Sequence, residues 1–246
     1  MANLQRELAL GYRILAAQGI GLGLLAHLTV REPGARTFWT YQLGQSMEEV
    51  RLIDLVELDF DLKVVSGSGF VNPNLAFHSE IYAARADVLS IVHHHGGNAV
   101  ALGAIGRSVE PFDRNAGRWH NEIALAQMYE SPVLRHQGAS ILASLGKLKA
   151  LLLKHHGVLV TGECLADAVV STIELEQVCG VQLKAMAAGE LNLMPDAEIE
   201  DTKRALGSKQ YYNGSWAYYK RALTRAGLDH DIEEVSAPAF EAIAVV

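Results

Sequence analysis

Two apolar runs in this chain end in histidine clusters, and that pattern restricts both the fold and the chemistry. Ile91-Val92 runs into His93-His94-His95-Gly96-Gly97, and Leu151-Leu152-Leu153 runs into Lys154-His155-His156-Gly157. Short apolar runs bounded by glycine read as buried strands, and in α/β folds function collects at strand ends. Side chains alternate faces along a strand, so His93 and His95 point one way and His94 the other. That pair can grip one ion, and the second cluster offers a third nitrogen. A lone histidine is usually an ordinary hydrogen-bonded residue, but five of the ten histidines fall in these two tracts. Their concentration carries the metal-site reading. Cys164 and Cys179 lack the paired short spacing of a Cys/His zinc knuckle.

With 246 residues, half of them hydrophobic, the chain can bury a substantial core. It reads as one α/β domain over residues 1–246, with a C-terminal helical cap over about 195–246. The net charge of −7 and the absence of any Lys/Arg run argue against a nucleic-acid partner. Small molecules or further copies of the chain are the expected partners. The start Met1-Ala2-Asn3-Leu4-Gln5-Arg6-Glu7 lacks a signal peptide's charged-then-apolar pattern, so a cytoplasmic location is expected. Residues 14–30 approach the length of a membrane span, but Gln18, His27 and interspersed glycines interrupt them. They read as helix, turn and strand, and no membrane partner is expected.

Along the chain, residues 4–18 predict an amphipathic helix stopped by Gly19. Strands are expected at 24–31 and Thr37–Tyr41, reversed at Glu32-Pro33-Gly34, which gives an antiparallel component. A short helix over 50–58, a strand over 63–65 and a helix over 76–85 lead into a strand over 88–95. A helix begins near 98–103, an irregular region runs through Arg118, and a single strand is expected over 150–160. A long helix, Leu165–Ala188, ends at Gly189, and Tyr211, Tyr212, Trp216, Tyr218 and Tyr219 mark a helical packing stripe in the cap. The triplet Gly19, Gly21, Gly23 follows a helix and lacks the GxGxxG spacing, so it is not read as a phosphate loop.

Phe77-His78-Ser79-Glu80-Ile81-Tyr82, Val92-His93-His94-His95, Leu153-Lys154-His155-His156-Gly157-Val158-Leu159, and Gly162 followed by a long helix occur in an order that resembles the class II aldolase/adducin family. The resemblance covers roughly residues 5–220. It implies an α/β/α three-layer domain with a mostly antiparallel central sheet, and homo-oligomers, often tetramers, with active sites near subunit interfaces. It also implies that His93, His95 and His156 are the metal ligands. Three neutral imidazoles hold a divalent ion at about 2.0–2.1 Å and leave positions open for substrate or water. Zn is the expected ion, with Fe, Mn or Co as alternatives. In such aldolases the zinc polarises a carbonyl or a vicinal hydroxyl pair and stabilises the enediolate formed as a C–C bond breaks. His94 and His155 face away.

Departures from that family narrow the chemistry. Sugar-phosphate aldolases carry a Ser-Ser-Glu segment whose glutamate is the catalytic acid/base, whereas this chain has Phe70-Val71-Asn72-Pro73-Asn74 there. Asn74 aligns with the glutamate and is expected to contact substrate in the catalytic site, but a carboxamide cannot shuttle a proton. The phosphate-binding serines are missing, and Ala26-His27-Leu28-Thr29 replaces the Gly-Asn-x-Ser signature of the first strand. His27 is therefore expected to bind an anionic group of a non-phosphorylated substrate. The same replacements resemble the bacterial adducin-like branch, which includes prenylated hydroxyphenylpyruvate oxygenases. His120, in Arg118-Trp119-His120-Asn121-Glu122, falls near the family's cross-subunit catalytic tyrosine and is the expected proton donor or acceptor. The leading expectation is a metal-dependent lyase that splits a hydroxy- or oxo-acid by aldol cleavage or decarboxylation. A non-haem iron oxygenase of 2-oxo or hydroxy acids comes second, and a non-catalytic adducin-like binding module third.

Overall fold

The computed structural model describes residues 2–21, 24–126 and 135–233. Within them, β1 (His27–Val30), β2 (Thr37–Tyr41), β3 (Leu55–Asp59), β4 (Val64–Ser66), β5 (Ser90–His94), β6 (Ile123–Ala126), β7 (Ala150–Leu153) and β8 (Val158–Gly162) make one sheet. Its order is β4-β3-β2-β1-β5-β8-β7-β6. The β6–β7 pair is parallel and the other neighbours are antiparallel. The helices are α1 (Ala2–Ala17), α2 (Ala76–Ala84), α3 (Gly97–Ala104), α4 (Arg114–Gly117), α5 (Arg135–Leu145), α6 (Leu165–Ala188), α7 (Asp196–Leu206) and α8 (Lys209–Arg225).

Strand alternation sorts the side chains into two apolar layers. On one face Leu28, Val30 and Val92 pack with Leu8, Tyr12 and Leu15 of α1 and with Val169 and Ile173 of α6. On the other, Ile91, Leu151, Leu153 and Leu159 pack with Phe77 and Ile81 of α2 and Ile141 and Leu145 of α5. The result is the three-layer α/β/α arrangement with a mostly antiparallel sheet that the sequence led us to expect. Each such buried side chain contributes about 1.5–3 kcal/mol. Helix α6 is buried on most of its surface because α8 and α1 cover the side turned away from the sheet. Tyr212 and Trp216 of α8 are buried in that layer, and the Trp216 indole donates to Glu7 Oε2 at 2.7 Å. Those C-terminal aromatics pack helices together, as the stripe in the sequence suggests. Residues 234–246 of the expected cap lie outside the described residues, as does Gly23 of the glycine triplet.

Three local expectations are corrected. Residues 50–58 hold one tight turn, Leu52–Asp54, and then β3 rather than a short helix. Pairing of β3 with β2 from Tyr41↔Leu55 to Thr37↔Asp59 supplies a ladder of hydrogen bonds that outweighs local helix preference. Residues 150–160 are a hairpin rather than a single strand. The chain reverses at 154–157, closed by Leu153 N–H to Gly157 O at 2.8 Å and His156 N–H to Leu153 O at 3.0 Å, with His155 at φ 61°. The region read as irregular contains α4, followed by β6, which alone pairs in parallel with its neighbour. Gly19, at φ 74°, closes α1 as expected. No helix among the described residues is long and apolar enough to cross a membrane.

Candidate metal centre

The hairpin correction decides where His156 sits. Its turn places it beside the end of β5, because β8 pairs with β5 from Gly162↔Ser90 to Val158↔His94. The ring centroids of His156 lie 5.0 Å from His93 and 4.8 Å from His95. One nitrogen from each of His93, His95 and His156 lies within 4.8 Å of the others. His93 Nε2 and His95 Nε2 are 3.0 Å apart. Two nitrogens bound tetrahedrally to one ion at the usual distance stand about 3.3 Å apart, so these rings are already set at ligand spacing.

Their protonation state fits the same use. Burial holds His93 well below the usual histidine range, and the neighbouring His27, His156 and His95 push it the same way. Burial also lowers His95, and burial with His95 alongside brings His156 to about 4. A ligand imidazole must be neutral, and these three are neutral without an ion. An all-imidazole set suits Zn and also accepts Fe, Mn or Co.

The loop that carries His95 is tied down from behind. His94 turns to the α6 side, where its Nδ1 accepts the Gly96 N–H at 2.9 Å. Glu176 of α6 accepts the Asn98 N–H at 2.7 Å and the Ala99 N–H at 3.1 Å, which caps the exposed donors at the start of α3. Glu176→Ala is expected to cost about 1–2 kcal/mol of stability. Amide exchange at Asn98 and Ala99 should accelerate with it, and unchanged exchange would show that the carboxylate is not the cap.

Beside the three histidines lies a second pair. His27 faces His93 across the β1–β5 pairing, with ring centroids 4.9 Å apart, and His78 of α2 lies 4.7 Å from His27. Both are fully buried and held unprotonated, chiefly by that burial. Among the described residues neither His27 nitrogen has a hydrogen-bond partner, nor does His78 Nε2. Each such orphan costs about 1–3 kcal/mol when nothing occupies it. Asn74 sits in the turn Pro73–Leu75 that opens α2, one helical turn before His78, with its side-chain oxygen buried and unpartnered. His120 is not brought to this cluster within one chain. It precedes β6, whose first residue pairs with the first residue of β7, while the three histidines gather beyond the other end of β7. There Lys203 donates to its carbonyl at 3.0 Å and pairs with Glu122 at 3.0 Å. A cavity of about 640 Å³ opens at that same far end, and its charges largely pair among themselves, Lys149 with Asp167 at 2.6 Å for one.

The sequence profile of the Class II Aldolase and Adducin N-terminal domain family matches residues 6–183, most of the chain. The chain belongs to that family. It is 32% identical to the decarboxylase NovR of Streptomyces niveus over 208 residues, covering 82% of this chain and 77% of that protein. It is 33% identical over 190 residues to the 4-hydroxy-3-prenylphenylpyruvate oxygenase/4-hydroxy-3-prenylbenzoate synthase of Streptomyces roseochromogenus, covering 76% and 69%. Among solved structures, L-fuculose 1-phosphate aldolase from Glaciozyma antarctica is similar with a TM-score of 0.86 and 26% identity, over 95% of this chain and 92% of that one.

Nothing in the sequence singles out Glu176, and His78 lies in a segment that carries the family resemblance without showing what it touches. Spacing offers a trace of the second. His27 and Thr29 share one strand face, and His78 and Tyr82, four apart, share one helix face. Only the docking of α2 on β1 brings the two pairs together.

Proposed function

We propose that this protein is a divalent-metal lyase that releases CO₂ from, or cleaves by retro-aldol reaction, a non-phosphorylated hydroxy- or oxo-acid. The observation that carries the reading is the convergence of three neutral histidines, one nitrogen of each within 4.8 Å of the others; the resemblance adds an amide, Asn74, where the aldolases have their carboxylate. When bound, the ion, most fittingly Zn, supplies Lewis-acid polarisation of a substrate oxygen. Retro-aldol cleavage must begin with removal of a hydroxyl proton, which Asn74 cannot accept. Decarboxylation needs no such base, because CO₂ departs where a proton otherwise would. Between the two reactions, the residues favour decarboxylation.

In this reading Asn74 and His27 orient the acid beside His93, His95 and His156. A proton is still needed at the carbon that loses CO₂, and His120 is its source. Since His120 lies at the opposite end of β6 and β7 from the histidines of its own chain, it serves the site of a second copy. In this reading the active site lies near a subunit interface of a homo-oligomer, a tetramer by analogy with the family, acting on small molecules in the cytoplasm. A non-haem iron oxygenase is the second reading, favoured by the oxygenase name of a relative at 33% identity. The intact ligand set speaks against an adducin-like binding module.

The test is metal analysis of protein purified anaerobically, followed by assays of CO₂ release and O₂ uptake on hydroxy- and oxo-acids. Zinc with CO₂ release and no O₂ uptake is the expected result. Iron with substrate-dependent O₂ consumption moves the assignment to the oxygenase, and no metal at all removes both enzymes in favour of the binding module.

A further inference from the structure

The unpartnered nitrogens beside the metal centre belong to a hydrogen-bond chain with a definite direction. His78 Nδ1 is 2.8 Å from Thr29 Oγ1, and Thr29 Oγ1 is 2.7 Å from the Tyr82 hydroxyl. All three side chains are buried. Arg31, stacked over the Tyr82 ring at 4.7 Å, has its nitrogens on the backbone carbonyls of Val88, Tyr82 and Arg85. Among the described residues, Thr29 Oγ1 is the one partner of the Tyr82 hydroxyl.

Three hydrogens share two contacts, so every arrangement leaves one of them without an acceptor inside the chain. If His78 carries its hydrogen on Nδ1, it donates to Thr29, Thr29 donates to Tyr82, and the Tyr82 hydrogen is left buried with no acceptor. Nε2 is then a bare lone pair as well. If Tyr82 donates to Thr29 and Thr29 donates to Nδ1, both contacts are made and the one hydrogen left over is that of His78 on Nε2. Only the second puts the surplus hydrogen at Nε2, where an oxygen of a bound ligand can accept it, so it is the arrangement that ligand binding completes. Nε2 is the atom without a partner, in the ring cluster that runs through His27 to His93.

We propose that His78 presents an Nε2–H donor to a carboxylate oxygen of the substrate beside the metal centre, its tautomer fixed by Tyr82 through Thr29. This rests on the reading of the substrate as a small organic acid and names the group that selects it. A neutral N–H donates to an oxygen lone pair, most strongly to that of an anionic carboxylate, and gives nothing to an ammonium group. His27, with two unpartnered nitrogens next to it, provides the second contact.

The test uses the zinc-loaded full chain and oxalate, a small dicarboxylate, as probe. Nitrogen-15 spectra of labelled histidine should show His78 protonated at Nε2, and protonation at Nδ1 overturns the proposal. Tyr82→Phe removes the hydrogen that sets the direction, and should weaken oxalate binding by roughly tenfold in titration calorimetry while zinc stays at wild-type stoichiometry. Unchanged oxalate affinity overturns the proposal. If Tyr82→Phe does not fold, Thr29→Val interrupts the same chain with a side chain of equal size, and the wild-type spectrum decides independently of either variant. None of these readouts requires turnover. If they come out as expected and no acid is cleaved, the lyase reading falls and the His78 assignment stands; if cleavage occurs with His78 protonated at Nδ1, the assignment falls alone.

Discussion

Replacing His93 or His156 with alanine is expected to abolish stoichiometric metal binding and reduce turnover by about a thousandfold or more, because each is one of the three neutral imidazoles proposed to hold the ion. Stability should divide by metal state. Without metal, His93 is a buried imidazole whose Nδ1 has no partner among the described residues, so its removal relieves one cost while opening a small cavity. With metal, wild-type protein gains binding energy that the variants cannot, so thermal stabilisation by added zinc should disappear in both. His155→Asn is the control. His155 is exposed at the hairpin turn with φ 61°, a conformation that asparagine tolerates, and its side chain is not among the converging ligands. Elemental analysis and thermal shift with and without zinc read both effects. Full zinc content in His93→Ala or His156→Ala would overturn the ligand assignment.

The convergence of the three candidate ligands is legible because its signals are local or nearly so. The i, i+2 spacing of His93 and His95 fixes a shared side wherever the segment is extended, and the apolar run before each cluster marks a strand that ends there. The route by which His156 arrives was hidden. Lys154-His155-His156-Gly157 has neither proline nor an Asn-Gly pair, and a histidine supplies the left-handed residue where glycine would have announced a turn. A hairpin therefore reads as one long strand. Strand β6 is hidden for another reason: Ile-Ala-Leu-Ala carries little β preference, and only pairing with β7 in parallel makes it a strand. The α/β/α layering follows from alternation and from the helix periods, whereas the His27–His78 contact depends on register between β1 and β5 and on how α2 docks. Those are tertiary facts: local spacing gives each pair a shared face but not that the two faces meet. His120 shows the same limit from the other side, since its place near a catalytic position in the family does not bring it near the histidines of its own chain.

Gly157→Ala should damage the metal centre more than any other single methyl addition in the histidine loops. A Cβ at this position would stand 2.7 Å from the His94 carbonyl oxygen, 2.8 Å from His95 Cδ2 and 3.0 Å from His93 Cε1. The first of these atoms is backbone in β5, held by the pairing of His94 with Val158, and the other two are ligand rings. None is the far end of a flexible chain that can swing aside. The hairpin must therefore move away from β5, taking His156 with it, or the rings of His93 and His95 must rotate off their shared point. Overpacking of this kind costs about 1–3 kcal/mol in stability. Displacing one ligand relative to the other two should weaken zinc by roughly 10–100-fold, the range seen when support for a metal ligand is lost. Gly97→Ala offers the contrast: it lies in the adjoining loop at the start of α3, and a Cβ there meets nothing within 4 Å. Alanine should be neutral or mildly stabilising at that site, since it restricts the unfolded chain and favours helix. Zinc affinity by competition with a chelator, measured for both variants beside their melting temperatures, separates the two effects. Wild-type zinc affinity in Gly157→Ala would mean that the close approach of the two loops is not what sets the ligand geometry.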